Sequence, residues 1–281
     1  MKLFSKEKMR WVFKRHPLLY YSRYILLSKN FNGKNPDAVG CYNDINDTKD
    51  IPQLYFEVNA KIPLSAEMDE FDKSLAIASY LRVNVKGGPG LSLSSEKTLQ
   101  AMLDDEGGVC NDFSQVFNNF CVINNIKVKE WNCVDRFYKT EYGHTFNEIY
   151  SSGLKKWIAI DVHQTFYFTA GNNEMPLSTI EAFARLRNGQ HNTFRFFQPG
   201  YEPKTLDRLN NIYAQSAIPF LTINYRNRII DQYLNKFKGR FPVYIITTIM
   251  ILLRKNFSFL FVLDNYKIKL LPKYFQDLAA K

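Results

Sequence analysis

The sequence predicts an α+β fold in which helices pack on an antiparallel sheet. Two observations predict it. Apolar residues recur at helical spacing through three segments between 66 and 123, and the period then falls from 3.6 to 2 over 127–161. A third observation sets the scale. With 281 residues, 46% of them hydrophobic, the chain can fill one sizeable core with appendages, and its 23% charged residues exclude wholesale disorder.

Residues 2–30 mix Lys and Arg with Trp11, Phe13, Tyr20, Tyr21 and Tyr24. That pattern suits a basic amphipathic helix, either packed on the body with its charges in water or resting on acidic lipid. Residues 31–53 are rich in Asn, Asp, Gly and Pro and read as loop. Ser65 can cap a helix over about 66–83, with Met68, Phe71, Leu75, Ala78 and Leu81 on its apolar face. Gly87-Gly88-Pro89-Gly90 ends it. Ser95 opens a short helix to about Leu103, stopped by Gly107-Gly108. A third helix runs from Val109 or Cys110 to about Ile123, with Phe113, Val116, Phe117 and Phe120 as its core stripe.

Strands are expected over 127–134, 144–150 and 156–161, with Ser151-Ser152-Gly153 turning between the last two. Ser178 followed by Glu181 forms a capping-box pattern that opens a helix to about Arg187. Further helices are expected over 205–216 and, with a basic face, over 222–238. Residues 241–253 carry no charge and are closed by Arg254-Lys255, a run short of the ~20 apolar residues a membrane span needs. A buried core element is the first reading of that run, an interfacial or re-entrant segment the second, and a span the last. The expected division is a basic extension and loop over 1–53, a core over 54–200 and a basic, partly apolar extension over 201–281.

Charge is distributed unevenly. Of the net +10, residues 1–30 carry +7 and residues 220–281 carry +8, which leaves −5 for the middle. An acidic partner would meet the two ends. A peripheral contact with an acidic membrane surface is one reading of those ends, beside charges that simply face water. Specific nucleic-acid binding is not expected, because no recognition motif accompanies the charge. Four cysteines, Cys41, Cys110, Cys121 and Cys133, are too few for a disulfide framework, and none forms a CxxC pair. No metal site and no cofactor are expected. The segment 17–27 is broken by Arg23 and lacks a cleavage signature, so a reducing, cytoplasmic setting is expected.

Three segments carry candidate chemistry. Gly107-Gly108-Val109-Cys110 places a thiol at a helix N-terminus, where unpaired N–H groups and the positive dipole end favour the thiolate. The other two are the strands that bear His144 and Asp161. A symmetric four-residue loop at 151–154 would set His144 directly opposite Asp161, side chains on one face. An Asp beside a His fixes the tautomer and stabilises the imidazolium. The competing readings are a buried structural cysteine and a cross-strand polar pair on a solvent face. Cys121 and Cys133 read as core thiols. His163 could share the Asp161 face. Glu148 alternates onto the His144 face, where such a residue more often makes a structural hydrogen bond. Gln100 is a candidate oxyanion donor, and the Cys110 backbone N–H a firmer one.

The three segments, in this order, resemble the transglutaminase-like superfamily core. There a Gly-x-Cys helix is followed by a His strand and an Asp strand. His144, Phe146, Glu148 and Ile149 match the family's His-strand pattern, and Trp157 with Asp161 matches its Trp-x-x-x-Asp strand. Phe146 replaces the commoner Trp, Val162 stands where Pro is usual, and Asn111 takes the place of the Trp that follows the nucleophile in animal transglutaminases. The resemblance covers about 70–185 and implies a papain-like catalytic core of the bacterial cysteine peptidase or amidase type. It also implies Cys110 as nucleophile, His144 as base and Asp161 as orienter, acting on an amide-bearing substrate by acyl transfer or hydrolysis. Two alternatives stand beside it. One is an arylamine N-acetyltransferase-like enzyme, which would favour Arg where Glu106 stands; the other is a catalytically silent module at a membrane surface.

Overall fold

The computed structural model describes residues 28–31, 39–134, 143–171, 175–198, 206–241, 243–253 and 257–264. The helix expected over 2–30 lies outside them apart from its last residues. In chain order the elements are β1 (Ser28–Asn30), α1 (Gln53–Asn59), α2 (Glu70–Asn84), α3 (Ser95–Leu103), α4 (Cys110–Ile123), β2 (Val128–Val134), β3 (Gly143–Ser151) and β4 (Lys156–Asp161). β5 (Phe166–Thr169), α5 (Thr179–Arg187), β6 (Thr193–Phe196), α6 (Leu206–Ile212), β7 (Ile218–Ile223), α7 (Asn227–Phe237), α8 (Val243–Leu252) and β8 (Ser258–Phe261) follow.

The eight strands form one sheet in the order β1-β8-β7-β2-β3-β4-β5-β6, antiparallel except where β1 meets β8. Period-two alternation divides its side chains between two cores. Val128, Ile149, Ile158 and Ile160 join Ile77, Leu81, Phe113, Val116, Phe117 and Phe120 of α2 and α4 on one face. Trp131, Cys133, Phe146, Ala159, Phe166 and Phe168 join Ala182 and Phe183 of α5, with Leu209, Ile212 and Tyr213, on the other. The result is a sheet between two helical layers, the mixed α+β architecture the periodicity predicts.

Several boundaries move. Asp69, not Ser65, caps α2: its carboxylate accepts the Asp72 N–H at 2.8 Å, so the helix starts four residues later than expected. Within 31–53 the chain forms two short 3-10 turns, Tyr42–Asp44 and Thr48–Asp50. The expected helix over 222–238 begins only at Asn227, because Ile218–Ile223 pairs with β2 and β8 as an interior strand. Its apolar residues serve two sheet faces rather than one helix stripe. The uncharged run 241–253 forms α8, half covered rather than buried: Ile246 and Met250 pack against Ile230 and Leu234 of α7, while Phe241, Ile249 and Leu253 are exposed. Among the described residues, no helix is long and apolar enough to cross a membrane.

Candidate active site

Cys110 is the first residue of α4, and a backbone clasp holds it there. The Gly88 N–H donates to the Gly108 carbonyl, and the Gly108 N–H to the Pro89 carbonyl, each at 2.9 Å. Gly107 sits at φ +147°, and a Cβ on it would lie 2.5 Å from the Pro89 oxygen, so only glycine lets the two loops close. Asp112 then reaches back: its Oδ2 accepts the Val109 N–H at 3.0 Å and the Leu91 N–H at 3.1 Å. That bond satisfies a donor ahead of the helix and fixes the turn from which Cys110 emerges.

β3 and β4 deliver the other two groups. Their ladder runs from Ser151↔Lys156 to Asn147↔Ile160, so the hairpin loop is 152–155 and the register differs from the expected one by two residues. His144 is therefore diagonal to Asp161, not opposite. The displacement is even, so both side chains keep their common face, and a diagonal pair remains within reach of an imidazole. His144 Nε2 lies 2.7 Å from Asp161 Oδ2, both residues buried.

α4 packs on the other face of the sheet, where Asn147 donates to the Ser114 carbonyl and to Asn118 Oδ1. The β3–β4 ladder stops at Asn147↔Ile160, and beyond that stop the thiol meets His144. The Cys110 thiol lies near enough to the imidazole and to the Thr145 backbone for both to favour its ionised form. With Nε2 on Asp161, Nδ1 is the ring nitrogen left for Cys110.

Electrostatics follow from this order. Burial alone would push the Cys110 thiol up, but the charge and hydrogen bond of His144 outweigh it and hold the thiol below its ordinary range. Burial would likewise depress His144, yet the charges of Asp161 and Cys110 hold the imidazole well above its ordinary value. Burial opposes the charge on Asp161 too, and His144 overcomes it. The arrangement favours a thiolate–imidazolium pair whose protons titrate jointly. The other thiols differ: burial raises Cys41 and, further, Cys121. Cys133 lies buried with its sulfur 3.7 Å from the Ile212 carbonyl.

Tyr213, which the sequence reading missed, completes the carboxylate shell. Its hydroxyl donates to Asp161 Oδ2 at 2.7 Å, and the Gln164 N–H donates to Oδ1 at 2.9 Å. Three donors on two oxygens suit an ionised carboxylate. Nothing in the sequence around Tyr213 announces this; it arrives through an aromatic cluster with Phe146, Phe166 and Phe168. Tyr213→Phe should lower stability by about 1–3 kcal/mol, the cost of thinning the donor shell of a buried charge. It should also raise the His144 titration, because a less solvated carboxylate holds the imidazolium more strongly. Urea unfolding and the histidine ring proton shifts in NMR measure the two effects; an unmoved His144 titration would count against Tyr213 as an orienting group.

His163 does join the site, its ring centroid 5.9 Å from His144 and 5.3 Å from Phe113. Burial first, then the charge on His144, press it down to about 3. It stands as a neutral ring, with the Gln164 Nε2 amide donating to its Nδ1 at 2.9 Å. Glu148 is an anchor: it accepts from Trp131 Nε1 at 2.8 Å and from the Thr179 N–H at 2.7 Å, tying the start of α5 to the sheet. Gln100 is excluded as an oxyanion donor. It is exposed on α3, and its amide donates to Asp104 at 2.9 Å. Among the described residues, no group of three or more His, Cys, Asp or Glu could hold a metal ion.

The site thus sets a thiol at a helix start near an imidazole that is itself bonded to a carboxylate, on a mixed α+β scaffold. Residues 58–162, which contain all three groups, match the family model of the transglutaminase-like superfamily. A solved structure of a proposed cysteine protease from Cytophaga hutchinsonii is 21% identical, with 44% of this chain and 38% of that chain covered and a TM-score of 0.30. This chain thus spans well under half the length of that protein. Comparison with curated proteins gives no match.

Proposed function

We propose that the chain is a transglutaminase-like enzyme that acts on an amide through Cys110, His144 and Asp161. The observation that carries this reading is the bond between the His144 imidazole and the buried Asp161 carboxylate, with the Cys110 thiol at the start of α4 near enough for that imidazole to lower its pKa. In this scheme the Cys110 thiolate attacks the amide carbonyl carbon and a C–S bond forms. The oxyanion is met by the Cys110 backbone N–H at the start of α4, one of the donors a helix leaves unpaired. The His144 imidazolium gives its proton to the departing nitrogen as the C–N bond breaks, leaving an amine and a thioester. Neutral His144 next takes a proton from water or an acceptor amine, which attacks the thioester and releases the Cys110 thiolate. Asp161 holds the ring throughout.

The test is trapping. A panel of amide-mimicking electrophiles should leave an acyl adduct on the Cys110 peptide, found by mass spectrometry and lost in Cys110→Ser. Adducts on Cys41, Cys121 or Cys133 in place of Cys110 would overturn the proposal.

A further inference from the structure

We infer that α7 and α8 form a docking face for an anionic lipid surface. Of the large apolar residues that are well exposed, Phe241 (49%), Ile249 (46%) and Leu253 (54%) fall within one 13-residue stretch. α8 explains why. Ile246 and Met250, four residues apart, seal one ridge of the helix against Ile230 and Leu234. Ile249 and Leu253, again four apart, form the adjacent ridge and are left in water. The helix has no charged residue of its own. Charge comes from its borders: Lys236 and Arg240 are exposed immediately before it, and Arg254-Lys255 follows it in the chain.

The occupant is argued from this combination. Asp231, the acidic residue of α7, is turned inward onto the Ser95 N–H and hydroxyl, and Asp112 onto Val109 and Leu91; Glu96, exposed on α3, is the acidic group beside Asp231. A second copy of the chain would cover the apolar ridge but would press two basic borders together. A soluble polyanion would answer the charge and leave Ile249, Leu253 and Phe241 in water. A bilayer surface rich in anionic headgroups satisfies both, receiving the apolar ridge at the acyl boundary and the basic border at the phosphates. The face is also fastened to the site: Lys238 Nζ donates to the Leu91 carbonyl at 2.9 Å, and the Leu91 N–H donates to Asp112, which caps α4.

The experiment is flotation of the full chain with phosphatidylcholine vesicles, with and without about 30% phosphatidylglycerol, at low and high salt. Binding is expected only with phosphatidylglycerol and should weaken with salt. The double variants Ile249→Asp/Leu253→Asp and Lys236→Glu/Arg240→Glu should each weaken it about tenfold or more. Phe241→Trp supplies a second readout that leaves the face apolar, since its indole emission should shift to the blue when vesicles are added. Overturning results are equal binding by wild type and both double variants, which would move docking to another part of the chain, binding to neither vesicle, or equal binding to both. A dimer in lipid-free solution that Ile249→Asp/Leu253→Asp splits would also overturn the inference, assigning the face to a second copy.

Discussion

Iodoacetamide should alkylate Cys110 at pH 6–7 well before any other thiol, and His144→Ala should slow that reaction about tenfold. An ordinary thiol of pKa about 8.5 is only about 1% thiolate at pH 6.5. Cys110 is held below that range by His144, so a much larger share is ionised. Part of the gain is returned, because intrinsic nucleophilicity falls with pKa, which is why the net expectation is about tenfold and not a hundredfold. The other cysteines make the contrast sharp. Cys121 and Cys133 have no accessible surface, and burial raises Cys41 and Cys121. The labelling rate of the wild type should level off at a lower pH than that of His144→Ala. Peptide mapping against pH decides it: equal rates at Cys41 and Cys110, or a His144→Ala curve that overlays the wild type, would remove the activated thiolate. Asp161 keeps its Tyr213 and Gln164 donors in the variant, so a thermal melt can verify that the scaffold survives.

How far the sequence announced this site depends on the kind of signal. α4 was legible because Phe113, Val116, Phe117 and Phe120 repeat at helical spacing and two glycines precede them. The faces of β3 and β4 were legible, but their register was not. Gly153 drew the expected loop to 151–154, whereas the residue that takes the left-handed conformation is Lys155, at φ +51°. Nothing in a lysine's chemistry advertises that role. Moving the loop by one residue changes the pairing by two, so the face survived the error and the reach of the imidazole absorbed the rest. Tyr213 was illegible for a different reason. It lies 52 residues from Asp161, after a seven-residue helix without a motif, and only three-dimensional packing brings it there. β1, β7 and β8 share that limit: three to six residues long, they acquire strand identity from the partners beside them.

Glu130→Gln should stabilise the protein at pH 8 by about 3 kcal/mol relative to wild type, and the advantage should vanish toward pH 4.5. Glu130 is buried on β2 under α4, beside Gln115, with Asn118 Nδ2 at 3.0 Å and Thr222 Oγ1 at 3.2 Å from its carboxyl oxygens. Burial outweighs these donors and raises its pKa to about 7 from 4.5. The folded state therefore holds the proton more tightly than the unfolded chain does. The stability this proton contributes is fully present below about 4.5 and is lost as pH rises through about 7. Glutamine has the shape of the protonated acid and likewise offers one donor edge and one acceptor edge. The Gln115 Oε1, buried without a partner as placed, can accept from either once that amide is turned over. Other acids titrate over the same range, so the informative quantity is the difference between variant and wild type in urea unfolding free energy at each pH. A difference that grows between about pH 5 and 8 locates the titration at Glu130; parallel curves would mean that the carboxyl is ionised in the folded state at no cost. Because α4 carries both Gln115 and Cys110, the same titration links the stability of the nucleophile's helix to pH without involving His144.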